Sequence, residues 1–146
     1  MHKITLTLIL GLFYLSTLAM DRFDIKKPPL ARQADSLFQM HKYAEALKKY
    51  ELSFKSGNNF CDDYYTAARC AALLNNKITA FNYLKISIKN GFVDEKYANH
   101  DYYLANLHTQ KLWAELKPLF NSLKLKIEKE LVGIKNIPCY RLIPFC

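Results

Sequence analysis

Residues 46–57 read ALKKYELSFKSG, and residues 80–91 read AFNYLKISIKNG. The two segments lie 34 residues apart and carry Ala, Ser, Lys and Gly at the same places. The correspondence continues upstream, because Ala34 recurs as Ala68 at the same step. Repetition at a fixed period of this length is typical of proteins built from stacked copies of one small unit. The stretch from residue 30 to residue 91 therefore predicts two copies of one unit.

Each copy has the apolar spacing of two helices joined by a short turn. In the first copy, Leu30, Ala34 and Leu37 keep helical spacing, and a second helical run follows from Tyr43. Gly57 and its counterpart Gly91 follow the second helices, where a left-handed residue commonly ends a helix. We expect Asp62 or Asp63 to cap the first helix of the second copy. The predicted unit is therefore helix, turn, helix and glycine.

After Gly91 the repeat becomes divergent. Asp94 and Asp101 are predicted helix starts, and a long amphipathic helix should follow and end at Gly133. Pro118 should kink this helix or begin a new one. The residues on its buried side are Leu112, Leu116, Leu119, Phe120, Leu123, Ile127 and Leu131, and those facing water are Lys117, Lys124, Lys126, Glu128, Lys129 and Glu130. Terminal repeats are often atypical because they cap a stack.

The period and the placement of small residues resemble the tetratricopeptide repeat family. The matching residues are Leu30, Ala34, Leu37, Tyr43, Ala46, Tyr50 and Ser53 in one copy and Tyr64, Ala68, Ala71, Ala80, Leu84 and Ser87 in the other. Lys77 replaces the family's aromatic residue, and Asn58 and Phe92 stand where a proline is usual. The segment from Asp101 to Leu116 is similar to the closing segment of exported bacterial members.

This resemblance implies an all-α fold in which antiparallel helix-turn-helix repeats stack as a short α-solenoid with a long C-terminal capping helix. The predicted repeat domain spans residues 30–133, with units at 30–57, 62–91 and 94–133. In the family, first helices line a concave groove that holds a protein or peptide. The positions expected to face this groove are Ala31, Asp35, Phe38, Gln39, Tyr65, Arg69, Ala72, Leu73, Tyr103 and Asn106.

Arg69 beside Tyr65 is the predicted anchor of that groove, because Arg and Tyr are enriched in binding hot spots. The equally weighted alternative is that Arg69 pairs with Asp35 across the stack. Ala31 and Asp35 stand where chaperone-binding members carry basic and amide residues, so that partner class is not expected.

The N-terminal segment has the pattern of a secretory signal peptide at residues 1–19. Lys3 precedes an uncharged apolar run, and small residues lead up to Ala19. We expect cleavage after Ala19 and export to the periplasm or outside the cell, with an uncleaved anchor as the alternative. Residues 20–29 form a polar lead-in, and residues 134–146 an irregular tail.

Export would allow disulfides, and four cysteines permit three pairings between which the sequence does not choose: Cys61, Cys70, Cys139 and Cys146. Cys70 falls on an apolar helix face, where a buried thiol is more common than a bridge.

The sequence carries no motif of an enzyme, a metal centre or a cofactor site, so a non-catalytic binding protein is predicted. His100 and His108 lack a third ligand at a recognisable spacing. The net charge is +8, mostly from Lys, and is read chiefly as a solvated helical surface. Nucleic acid is not an expected partner, and no membrane span is expected after signal cleavage. Weak self-association is left open, because two repeats and a remnant are few for a stable stack.

The alternative function is an accessory module of a cell-envelope enzyme or assembly. Such a module would contact its partner, or an anionic surface, through the Lys-rich C-terminal helix.

Overall fold

The computed structural model describes residues 27–134, with side chains as far as residue 131. All regular structure in that range is helical, and none of it is β-strand. The predicted all-α class is therefore confirmed for the described part of the chain. The predicted signal peptide, residues 20–26 of the lead-in, residues 135–146 of the tail, Cys139 and Cys146 lie outside the described residues.

The helices of this range follow one another with short connections. Their bounds are α1 Pro29–Gln39, α2 Tyr43–Lys55, α3 Cys61–Leu73, α4 Lys77–Lys89, α5 Glu95–His100, a 3-10 helix Tyr102–Leu104, α6 Ala105–His108, α7 Lys111–Ala114 and α8 Leu116–Ile134. The first four have the lengths and turns that the apolar spacing predicts.

The turns that end these first four helices recur at the 34-residue step. His41 and Asn75 have φ of 59° and 57° after α1 and α3, and Gly57 and Gly91 have φ of 95° and 116° after α2 and α4. In each turn the next backbone N–H donates to the carbonyl five residues earlier, as in Lys42 to Leu37 at 2.9 Å. This is the longer hydrogen bond of the Schellman motif, so the glycine caps are confirmed.

Alanines are buried at equivalent positions in the two helix pairs. Ala34, Ala46, Ala68 and Ala80 are all fully buried. α1 packs on α2, and α3 packs on α4. Small side chains let helix axes approach while larger neighbours fill the grooves between them. The two pairs thus have the same type of turn and buried alanines at equivalent positions.

Each pair is antiparallel, because its contacts are nested along the chain. The Phe38 and Tyr43 rings lie 5.5 Å apart near the turn, while Tyr50 Oη donates to Asp35 at 2.5 Å further back. In the second pair, Tyr64 contacts Tyr83, and Ser87 Oγ donates to the carbonyl of Cys61 at 2.8 Å.

α3 is the central helix of the described chain. One apolar cluster joins α1, α2 and α3, and a second joins α3 to α4, α8 and the segment between them. Eight of the thirteen residues of α3 are buried, including Tyr65 and Cys70. After Cys61, the residues of α3 that are not buried share one side of the helix, its open face: Asp62, Thr66, Arg69 and Leu73.

The predicted cap of α3 is wrong. The helix begins at Cys61 after Phe60, and no side chain caps it. Asn58 Oδ1 accepts the Phe60 N–H at 3.0 Å just outside the helix, and Asp63 is fully buried within the first turn. Asp63 was expected to bind its own helix end, but it contacts Asn58 and Lys27 instead.

The segment after Gly91 starts its helices at the two predicted aspartates. Asp94 Oδ1 accepts the Tyr97 N–H at 2.7 Å, and Asp101 Oδ1 accepts the Tyr103 N–H at 2.9 Å. Asp101 interrupts the segment, so α5 and the 3-10 helix are separate short elements.

The predicted long last helix is divided in two. Leu112 belongs to α7, and Glu115 separates α7 from α8. Pro118 is the third residue of α8 and therefore belongs to the start of a new helix, where its missing N–H has no helical partner to lose. Gly133 does not end the helix, which continues to Ile134. Leu116 and Phe120 are buried, and α8 packs on α4.

Candidate functional site

Arg69 is surrounded by aromatic rings on the open face of α3. Its guanidinium carbon lies 4.8 Å from the Tyr65 ring centroid, 5.4 Å from that of Tyr97 and 5.3 Å from that of Tyr103. Tyr65 is one helical turn before Arg69, while the other two rings come from the segment after α4. A guanidinium within about 6 Å of a ring face is attracted to it. Arg69 therefore joins α3 to the third segment.

Asp101 holds this arrangement in place. Its Oδ2 accepts the Tyr65 hydroxyl at 2.8 Å and Arg69 Nε at 2.6 Å, while Oδ1 caps the 3-10 helix. The Asp101 side chain is 3% exposed and that of Arg69 is 15% exposed. A buried charge is stable only where it is paired and hydrogen-bonded, and this carboxylate meets both conditions.

The expected alternative, a pair between Arg69 and Asp35, is wrong. Asp35 Oδ2 lies 2.6 Å from Lys27 Nζ, and its Oδ1 accepts the Tyr50 hydroxyl. Asp35 therefore pairs with Lys27, which precedes α1, whereas Arg69 pairs with Asp101, which follows α5. Sequence identified Asp101 only as a helix start, because a capping residue gives no sign of a second partner 32 residues away.

The pKa values of Tyr65 and Arg69, the two side chains that donate to Asp101 Oδ2, are both raised. Burial is the largest influence on the Tyr65 hydroxyl and raises its pKa, and the hydrogen bond to Asp101 raises it further. Burial lowers the pKa of Arg69, but the hydrogen bond and charge of Asp101 outweigh burial and raise it. Tyr65 therefore stays neutral and Arg69 stays charged, which suits a fixed binding surface.

Three other predicted positions meet on the same face. The Phe38 ring lies 5.3 Å from the Tyr103 ring in an edge-on contact, across α3. Asn106 Nδ2 donates to the Ala72 carbonyl at 2.8 Å. The structure thus brings Phe38, Tyr65, Arg69 and Tyr103 into contact, and it places Asn106 against Ala72, three residues after Arg69 on α3; we call these five residues the central face.

The remaining predicted positions lie outside the central face. Asp35 is engaged with Lys27 and Tyr50, as described, and Gln39 is exposed at the end of α1. Ala31 and Ala72 are buried, and Ala72 contributes only its carbonyl to Asn106, while Leu73 is exposed.

A second buried charge cluster was not predicted. Asp63 is fully buried, and its Oδ2 accepts Asn58 Nδ2 at 2.7 Å. Lys27 Nζ lies 2.5 Å from Asp63 Oδ1 as an ion pair rather than an aligned hydrogen bond. Burial lowers the pKa of Lys27, but the neighbouring carboxylates of Asp35 and Asp63 outweigh burial and raise it. This cluster fixes Lys27, two residues before α1, against α3.

An open cavity of about 400 Å³ lies beside Arg69, between α3 and the segment that includes α5. Its aromatic walls are Tyr65, Phe92 and Tyr97, and its charged lining residues are Asp62, Arg69 and Asp94. The volume falls at the lower end of the range for ligand sites. Tyr97 and Phe92 were not predicted as site residues, because neither stands at a groove position of the repeat pattern.

The two histidines of interest contact backbone carbonyls. His100 Nδ1 lies 2.7 Å from the Lys96 oxygen, and His108 Nε2 lies 3.1 Å from the Ala98 oxygen. Among residues 27–134, no three or more His, Cys, Asp or Glu side chains are grouped to hold a metal ion. No helix in that range has both the length and the apolar character needed to cross a membrane.

Comparison with known proteins found no matching family model, curated protein or solved structure.

Proposed function

We propose that the protein is a non-catalytic scaffold of the tetratricopeptide-like class, which holds a protein or peptide on the face formed by α1, α3 and the segment from α5 to α6. Two antiparallel helix pairs with the same turns and the same buried alanines at a 34-residue step support the repeat architecture. The third, broken segment would be the divergent closing unit of a short α-solenoid.

The observation that carries the binding proposal is the central face itself. Phe38, Arg69 and Tyr103 come from three successive segments, and their side chains touch on one side of the molecule. Binding hot spots are enriched in Tyr and Arg and lie in well-packed clusters of this kind. Because packing and Asp101 already fix these side chains, little conformational entropy would be lost in ordering them when a partner binds.

A selection of displayed random peptides on the full chain tests this proposal. Selected peptides should lose affinity when Tyr103 is replaced by Ala, because the replacement removes a half-buried ring of the central face but keeps the backbone N–H that Asp101 accepts and the Arg69–Asp101 hydrogen bond. Ile78→Ala is the matched control, because Ile78 is a 71% exposed apolar residue on α4. Selected peptides that bind both variants as well as the unaltered chain would contradict the proposal.

The alternative, contact through the Lys-rich last helix, has weaker support. Lys117, Lys124, Lys126 and Lys129 are exposed on α8 as predicted. However, Lys124 pairs with Glu95 at 3.2 Å, and Lys126 lies 3.9 Å from Glu130. These carboxylates reduce the positive field that an anionic surface would meet.

Export of the protein and cleavage after Ala19 remain part of the proposal. The N-terminal sequence of the protein recovered from its cells would test them, with Met20 expected as the first residue.

A further inference from the structure

We propose that the cavity beside Arg69 receives one cationic side chain, Lys or Arg, of the segment bound by the central face. The inference rests on the proposed binding function and names the chemistry that this part of the surface selects.

The walls of the cavity suit the stem and charge of such a side chain. The Tyr65 and Phe92 rings are stacked with centroids 4.2 Å apart, and Tyr97 closes the third side at 5.9 Å from Tyr65. Tyr65 and Phe92 are buried, so the accessible aromatic surface is that of Tyr97, which is 50% exposed. An aromatic ring attracts cations, and its apolar surface accommodates the methylene stem of Lys or Arg.

The positive charge already in the cavity is neutralised within the protein. Arg69 Nε donates to Asp101, and its Nη2 donates to the Tyr97 hydroxyl at 2.5 Å. An anionic ligand would have to compete with a carboxylate that is 2.6 Å away and almost fully buried. Arg69 therefore shapes the wall of the cavity and does not provide an unpaired charge for an anion.

The other charged groups of the lining are both negative. Asp62 lies on α3, and Asp94 precedes α5. Asp94 is exposed at the cavity, and its carboxylate offers a ligand a negative partner on a chain whose net charge is +8. Charge complementarity therefore selects a cation at this place, while the rest of the surface disfavours a strongly basic partner. The expected ligand segment carries a single basic anchor among neutral or acidic residues.

The test uses three small probes, the N-acetyl methylamides of arginine, citrulline and glutamate, of which the first two differ in charge and hardly in shape. Each is titrated into the full chain, and binding is followed by backbone amide NMR shifts at Thr66, Asp94 and Tyr97. The arginine probe should bind about tenfold more tightly than the uncharged citrulline probe, since the two have the same shape. Equal affinities, or tighter binding of the glutamate probe, would overturn the inference.

Two variants assign the effect to this cavity. Asp94→Asn should reduce the preference for arginine over citrulline to about twofold or less, while its amide still caps α5. Tyr97→Leu should weaken both probes by removing an aromatic wall. Glu115→Gln is the matched control, because it removes the same charge from an exposed site between α7 and α8 that does not line the cavity, and it should leave the preference unchanged. A preference that survives Asp94→Asn would place the cation elsewhere and overturn the assignment.

The result is separable from that of the peptide selection. If Tyr103→Ala abolishes peptide binding but arginine and citrulline bind equally, the scaffold function stands and the cationic specificity fails. If the arginine preference is present but no peptide is selected on the central face, the cation site stands and the scaffold function fails.

Discussion

Replacing Asp101 by Asn should destabilise the protein far more than its small change in shape suggests. The Asp101 carboxylate accepts three hydrogen bonds, from the Tyr103 N–H, the Tyr65 hydroxyl and Arg69 Nε. An amide has one oxygen, and if it keeps the cap of the 3-10 helix, its NH₂ group faces Arg69. The substitution therefore sets a donor against a donor and leaves a guanidinium that is only 15% exposed without its counter-ion.

The expected loss of unfolding free energy is about 3 kcal/mol, because a hydrogen bond to a charged group contributes about 1.5–3 kcal/mol and removing one member of a buried pair costs about 3–5 kcal/mol. For a urea m-value of about 2 kcal/mol per molar, the midpoint should fall by about 1.5 M. Equilibrium urea unfolding followed by circular dichroism at 222 nm measures this shift directly.

Two comparisons make this reasoning refutable. In an Arg69→Met background, Asp101→Asn should cost only about 1 kcal/mol, because the unpaired guanidinium is no longer present. Glu115→Gln breaks an exposed pair with Lys85 of 3.0 Å and should cost about 0.5 kcal/mol or less. Equal losses in the two Asp101 experiments, or a loss no larger than that of Glu115→Gln, would show that Asp101 does not hold α3 to the third segment.

Three further outcomes are expected. Lys27→Met should cost about 2 kcal/mol of unfolding free energy at neutral pH, because it leaves the buried Asp63 without its cation. The pKa of Lys27 in the folded protein is raised above 10.5, so its stabilisation is complete below pH 10.5 and disappears above the folded pKa. The difference in urea unfolding between the variant and the unaltered chain should therefore shrink at strongly alkaline pH. Burial raises the pKa of Cys70 to about 12, so Cys70 in the folded protein should react with maleimide at pH 8 about a hundredfold or more slowly than in the urea-unfolded chain. The label is quantified on the tryptic peptide that contains Cys70, and equal rates would contradict its burial. Gly57→Ala should lower stability by about 1 kcal/mol in thermal unfolding because its φ is 95°, although nothing lies near the added methyl; no loss would show that the turn can relax.

The repeat pattern predicted the first four helices well because their signals are local. Gly57 and Gly91 end helices through backbone geometry that depends on the few residues before them. Ala34 and Ala46 mark the close approach of neighbouring helices, and a short turn leaves such helices little choice but to pair. Asp94 and Asp101 cap helices through bonds to residues two or three positions later.

The candidate site was predicted only in part because its decisive partners are distant in sequence. Tyr65 and Arg69 were found because their types and their helix face suggested a binding surface. Their partners Asp101 and Tyr97 lie in the divergent segment, where the period no longer tells which residues face α3. Asp63 was misassigned for a similar reason, since a carboxylate in a first helical turn usually serves the helix and not a lysine 36 residues earlier.

Side-chain hydrogen bonds from one described residue to another, such as that from Tyr65 to Asp101, span at most 36 positions. A growing or emerging chain can therefore complete the α1–α2 pair before α4 is available, and each later helix adds to a surface that already exists. Local connectivity of this kind favours rapid folding. The contact between Phe38 and Tyr103 is different, because it joins α1 to the 3-10 helix, which comes after α4 and α5 in the chain. It would form late in such an order, so the central face would be assembled only after the 3-10 helix has been made.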